Sequence, residues 1–167
     1  MRLGRILFNK KHPDYLDFLV LNTLIGDYFG SRLMTNIRED KGYTYGIGSM
    51  LAEVNEFGYF IIATEVRKDV MKNTLDEVKF EFDRLKNELV PNEEMELVKN
   101  YMLGQLLKSA DGAYAMTDLF LSAEAQGKDL DFYNEALQSI RSITPQRIQE
   151  LANTYLNWED YTVISAG

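Results

Sequence analysis

The chain has 167 residues, no cysteine, one histidine and a formal charge of −8, with 46% hydrophobic residues, which suits one folded globular domain. Disulfides, thiolate metal sites, a cysteine nucleophile and any site needing two histidines, the zinc-binding H-x-x-E-H included, are excluded. The negative charge argues against nucleic-acid binding, and no apolar run reaches the roughly 18 residues of a membrane span.

Residues 2–8 read as a short strand with Leu3, Ile6 and Phe8 as its apolar part. His12-Pro13-Asp14 starts a helix, since proline suits the first turn and aspartate complements its positive end. Residues 15–29 form a largely buried helix punctuated by Gly26 and Gly30. Ser31 then serves as N-cap for a short helix over residues 32–40, with Leu33, Met34 and Ile37 as its apolar face and Gly42 as its end. Residues 43–54 are β-rich, Asn55-Glu56-Phe57-Gly58 resembles a hairpin turn, and residues 59–66 return as an antiparallel strand.

Lys68 or Asp69 opens a long helix reaching residue 90. Leu75, Val78, Phe82, Leu85 and Leu89 make its core-facing stripe, with charged residues between them. Pro91-Asn92-Glu93-Glu94 restarts the chain as another helix, its acids serving as dipole partners in the first turn. Asp111-Gly112 breaks the chain, residues 113–126 are helical, and Gly127-Lys128-Asp129 is a loop. A helix follows over residues 131–140. Thr144 caps the last helix with Pro145 in its first position, and residues 158–166 close as a strand. Without βαβα alternation, the order predicts an α+β fold, with an antiparallel sheet covered on one face by helices.

The densest chemistry lies between Ser31 and Gly46, where a helix passes through a glycine into β-rich chain. Arg38 ends the helix, and Tyr43 and Tyr45 follow it. Residue types alone leave two readings open. Arg38 offsets the helix dipole while the tyrosines pack, or arginine and tyrosine donors together hold a peptide carbonyl or carboxylate. His12 stands in a charged loop with no cluster of ligands around it in sequence and reads as a surface or helix-start residue. No G-x-G-x-x-G or G-x-S-x-G stands in a context that nominates a nucleotide or hydrolase site.

The segment from Phe29-Gly30-Ser31-Arg32-Leu33 through Arg38-Glu39-Asp40-Lys41-Gly42-Tyr43-Thr44-Tyr45 resembles a signature of the pitrilysin/insulinase family of zinc peptidases. It is similar to S-R-L…R-E-x-x-G-x-x-Y in the family's second, non-zinc domain. The His-Pro-Asp-Tyr turn, the Pro91 helix start and the Ile143-Thr144-Pro145 helix start keep the same order, so the resemblance covers nearly the whole chain. It implies the α+β domain of the pitrilysin and mitochondrial processing peptidase family, with helices on one face of an antiparallel sheet. It further implies a clamshell of homologous halves, in one chain or between subunits, of which one holds zinc through H-x-x-E-H. Arg38 and Tyr45 would be the catalytic contributions of the non-zinc half, holding the peptide backbone and stabilising the oxyanion. Tyr43 is an alternate substrate-binding tyrosine. This chain would bind no metal, and zinc and its water would come from the partner half.

The expected unit is therefore residues 1–167 as one domain, cut from a longer two-domain chain and inactive alone. The same resemblance extends to non-catalytic structural and assembly subunits. A third reading is an unrelated module that receives an extended peptide along a strand edge.

Overall fold

In a computed structural model, which describes residues 1–54, 57–125 and 131–166, the first expected strand forms as β1 (Arg2–Leu7). Leu3 is buried against the helices and Ile6 is exposed on the opposite face. Strands β2 (Ile47–Val54) and β3 (Phe57–Thr64) pair antiparallel, with Ile47 opposite Thr64 and Val54 opposite Phe57. β3 also pairs with β1, and β1 with β4 (Thr162–Ile164), giving an antiparallel sheet in the order β2-β3-β1-β4. In β3 the buried residues are Gly58, Phe60, Ile62 and Thr64, every second position, as a half-covered sheet requires.

The helices cover that one face. α1 (Tyr15–Gly26) is its centre: from Val20 to Gly26 every residue is buried, and no polar face exists to show a period. Phe18 meets Phe60 edge-on at 5.4 Å. α2 (Met71–Asn87) follows a short 3-10 turn at Lys68–Val70 and presents Val78, Phe82 and Leu85 to the core. Each such fully buried side chain contributes about 1.5–3 kcal/mol. The expected stripe holds at its centre and fails at its end. Leu89 lies beyond the helix and is exposed, while Thr74 and Glu81 are buried. α3 (Asn92–Ser109), α4 (Ala113–Ala125), α5 (Asp131–Ser142) and α6 (Pro145–Tyr155) complete the layer. Thr144 caps α6 as expected, its hydroxyl accepting from the Arg147 N–H at 3.2 Å.

α6 is fastened to α1 by an ion cluster. Arg147 reaches Asp14 at 2.7 Å and Asp17 at 2.8 Å, and the Tyr155 hydroxyl donates to Asp14. Burial, together with the bond to Asp14, pushes the Tyr155 phenol up to about 12. Gly26 lets α1 approach β2: a Cβ there would stand 2.4 Å from Ser49 Oγ. The opposite sheet face exposes Ile6, Met50, Val54, Phe57 and Ile164.

Residues 43–46, read as strand, are irregular with a bend at Tyr45, and β2 begins only at Ile47. The closing strand is likewise shorter than expected, because Trp158–Asp160 forms a 3-10 turn before β4. Asn55 and Glu56 of the expected hairpin turn, and the loop at Gly127-Lys128-Asp129, lie outside the described residues. Among the described residues no helix is long and apolar enough to cross a membrane.

Candidate functional site

The short helix after α1 is wound as a π-helix over Met34–Asp40. Its inner face is fixed by Leu33 and Ile37, both fully buried. Its back is fixed by α2: Asn36 Nδ2 donates to Glu77 at 3.1 Å and to Glu81 at 2.8 Å, and Lys41 Nζ pairs with Glu77 at 3.1 Å. One carboxylate therefore ties both ends of the turn. Such wide turns recur at functional sites, where they re-aim a side chain.

Upstream, Arg32 makes a two-pronged pair with Glu94 of α3, both contacts at 2.8 Å. Burial opposes the guanidinium's charge, but the bonds to Glu94 prevail and its pKa is raised. Glu94 is thus an interior partner as well as a first-turn acid. The expected Ser31 cap is not formed. Its hydroxyl is buried without a protein partner, and only its carbonyl joins the helix start, accepting from the Thr35 N–H at 2.9 Å.

Gly42, at φ +63°, turns the chain out of the π-helix, and the Tyr43 N–H closes back on the Ile37 carbonyl at 3.0 Å. The Thr44 hydroxyl accepts from the Gly46 N–H at 3.1 Å and donates to the Glu65 carbonyl at 2.7 Å. This local bonding replaces ladder pairing and sets the irregular path of residues 43–46.

That path leaves Tyr45 101% exposed, its ring free of the fold. Arg38 Nε donates to the Tyr45 carbonyl at 3.0 Å, and the guanidinium carbon lies 4.8 Å from the centre of the Phe29 ring. Arg38 Nη1 stands 3.6 Å from Glu39. Among the described residues neither Nη group makes a hydrogen bond. Arg38, Tyr43, Thr44, Tyr45, Glu65 and Arg67 line a cleft of about 790 Å³. Tyr43 is half-buried, packing on the core as well as lining the cleft.

All three residues singled out in the sequence therefore share one cleft, and Arg38 meets Tyr45 through the backbone rather than through the phenol. The cleft offers a guanidinium fork and a phenolic hydroxyl, donors suited to a carbonyl oxygen, a carboxylate or a developing oxyanion. The contributions of Thr44, Glu65 and Phe29 are not apparent from the sequence. For Thr44 the signal is a hydroxyl among glycines and tyrosines, a common source of local backbone bonds. For Glu65 and Phe29 the contacts depend on tertiary geometry.

His12 is a helix-start residue. Its Nδ1 accepts the Asp14 N–H at 3.1 Å, and its ring stacks on Phe8 at 4.3 Å. Among the described residues no group of three or more His, Cys, Asp or Glu is placed to hold a metal ion. The residues present do not fit a zinc site.

The chain matches the family model for the peptidase M16 inactive domain over residues 2–102. It is 25% identical over 158 residues to an uncharacterized zinc protease, YmxG, of Bacillus subtilis, covering 91% of this chain and 37% of that protein. The peptidase M16 inactive domain from Pseudomonas fluorescens superposes with a TM-score of 0.83 at 23% identity, over 96% of this chain and 38% of that one. A chain of complex III2 from Candida albicans superposes with a TM-score of 0.68 at 15% identity, over 92% of this chain and 39% of that one. The chain thus spans less than two fifths of the length of each of these proteins. With the family model over most of its length and the α+β fold in agreement, the chain belongs to the M16 zinc protease family, as its inactive domain.

Proposed function

We propose that this domain is the substrate-binding, non-zinc half of a zinc-dependent metallopeptidase, closing over a peptide held by a homologous zinc-bearing half. The observation that carries the reading is the cleft itself. Tyr45 is fully exposed, and beside it, among the described residues, the Arg38 Nη groups make no hydrogen bond, Nη1 having only a 3.6 Å ion-pair contact with Glu39. A tyrosine that merely packed would be covered, and an arginine that only offset a helix dipole would need no seat on Phe29 and the Tyr45 carbonyl.

The Arg38 fork holds the peptide backbone and stabilises negative charge on the scissile carbonyl oxygen as its carbon becomes tetrahedral. Tyr45 donates its hydroxyl to the same oxygen or to the adjoining backbone, and Tyr43 borders the peptide from the wall. The chain contains no H-x-x-E-H, so metal chemistry is assigned to the partner half. Domain organisation follows the same proposal: one domain of a two-half assembly, joined in one chain or between subunits.

A second reading, a structural or assembly subunit of the same fold, is favoured by the likeness to the complex III2 chain. It gives no use to the bare Tyr45 ring or to the seating of Arg38 on Phe29 and the Tyr45 carbonyl.

The test is a peptidase assay on this chain before and after mixing with its zinc-bearing half, with zinc measured in each sample. Activity confined to the mixture, with zinc on the other half, is the expected result. A zinc-loaded complex without activity would replace this proposal with the scaffold.

A further inference from the structure

We infer that Phe29 is the positioning residue for Arg38: its ring seats the guanidinium at the wall of the cleft. The inference rests on the proposed role of Arg38 in binding the peptide.

Phe29 is 62% exposed, so the core gains little from it. Its place is nevertheless fixed. The Ser31 N–H donates to the Tyr28 carbonyl at 3.1 Å, closing a turn with Phe29 and Gly30 at its tip. Tyr28 anchors that turn by lying against Tyr101 of α3, ring centres 4.9 Å apart. Gly30 keeps the turn tight, because a Cβ there would come within 2.8 Å of the Tyr28 ring. The loop thus turns one aromatic residue inward and holds the next in solvent.

Arg38 uses that exposed ring. Its guanidinium carbon lies 4.8 Å from the ring centre, inside the range of about 6 Å over which a ring face attracts a cation. On the other side, Nε is bonded to the Tyr45 carbonyl. A ring face and one directed hydrogen bond together restrain the guanidinium, and among the described residues the Nη groups, Nη1 at 3.6 Å from Glu39 included, make no hydrogen bond that a ligand would have to displace. Arginine otherwise surrenders rotamer freedom when it binds, and a seat of this kind removes that cost in advance. A leucine at position 29 would supply apolar surface but no ring face.

The test compares Phe29→Leu with Phe29→Trp. On the chain itself, hydrogen exchange at Arg38 Nε–H is followed by NMR, with the resonance assigned by its loss in Arg38→Lys. Phe29→Leu is expected to speed exchange about two- to fivefold, as removal of an exposed cation–ring contact implies, while Phe29→Trp keeps it slow. Melting temperatures of both variants should match the parent, since the side chain is exposed. In the two-half peptidase, Phe29→Leu should lower turnover by a similar factor and Phe29→Trp restore it. Added to Arg38→Ala it should lower turnover no further.

Equal Nε–H exchange in Phe29→Leu and the parent would overturn the inference. So would a Phe29→Leu loss that adds in full to that of Arg38→Ala. An Arg38→Ala variant of unchanged turnover, with exchange still dependent on Phe29, would sink the proposed role of Arg38 while upholding the seat.

Discussion

Replacing Asn36 by leucine tests how the π-turn that carries Arg38 is held. The amide bonds Glu81 at 2.8 Å and Glu77 at 3.1 Å. Glu81 is 1% exposed, so solvent cannot replace the lost donor there. A hydrogen bond to a charged acceptor contributes about 1.5–3 kcal/mol. The Glu77 side chain is 23% exposed and keeps Lys41, so its loss adds only about 0.5 kcal/mol. Against this, Asn36 Oδ1 is buried without a protein partner, and removing it returns about 1 kcal/mol. The net cost is about 2 kcal/mol, or about 4–8 °C in melting temperature for a chain of this size. Calorimetry of the purified chain reads it directly. Asn36→Asp should be worse than leucine, because it sets a third carboxylate against Glu77 and Glu81. A leucine variant that melts within about 1 °C of the parent, or an aspartate variant more stable than leucine, would refute the reasoning.

Other outcomes follow from the packing of α1. Burial pushes the Asp14 carboxyl up, but hydrogen bonds from Tyr155 and Arg147 prevail and hold it below its ordinary value of 3.8. Its contribution is therefore present above the ordinary carboxylate range and lost as pH falls through the folded value. Arg147→Met should cost about 1–2 kcal/mol at neutral pH after solvent screening, and should flatten the acid limb of a stability–pH curve; an unchanged acid limb would contradict this. Gly26→Ala sets a Cβ 2.4 Å from Ser49 Oγ and 2.8 Å from the Ser49 nitrogen. It should cost about 2–3 kcal/mol in urea unfolding by forcing α1 away from β2, and an unshifted midpoint would show that the contact relaxes freely.

What the sequence made legible was local. The α6 start was readable because Thr144 and Pro145 act within one turn, and the centre of the α2 stripe because Val78, Phe82 and Leu85 repeat at helical spacing. The antiparallel return of β3 on β2 was readable from the short turn between them, but its alternation of burial was not, because apolar residues stand at both sets of positions. Arg38, Tyr43 and Tyr45 were singled out through their motif, and the fold brings them to one cleft.

What escaped depends on distant partners. The π-winding is held by Asn36 and Lys41 against Glu77 on another helix, contacts that no local propensity encodes. Glu81 is one of the charged residues between the stripe positions of α2, yet it is buried, where the same Asn36 amide bonds it. Ser31 carries the right residue type for a cap, but the chain enters the helix in a direction that buries its hydroxyl. Residues 43–46 have strand-like composition, and the Thr44 hydroxyl diverts their backbone bonds.

The central claim, that Arg38 acts on the peptide from the non-zinc half, is tested most directly by turnover of the zinc-loaded two-half peptidase carrying Arg38→Ala. A fall of about 10²–10³-fold is expected, the loss typical of removing a donor to a developing oxyanion, with bound zinc unchanged. Full turnover in a zinc-loaded complex would contradict it and return Arg38 to a helix-end charge.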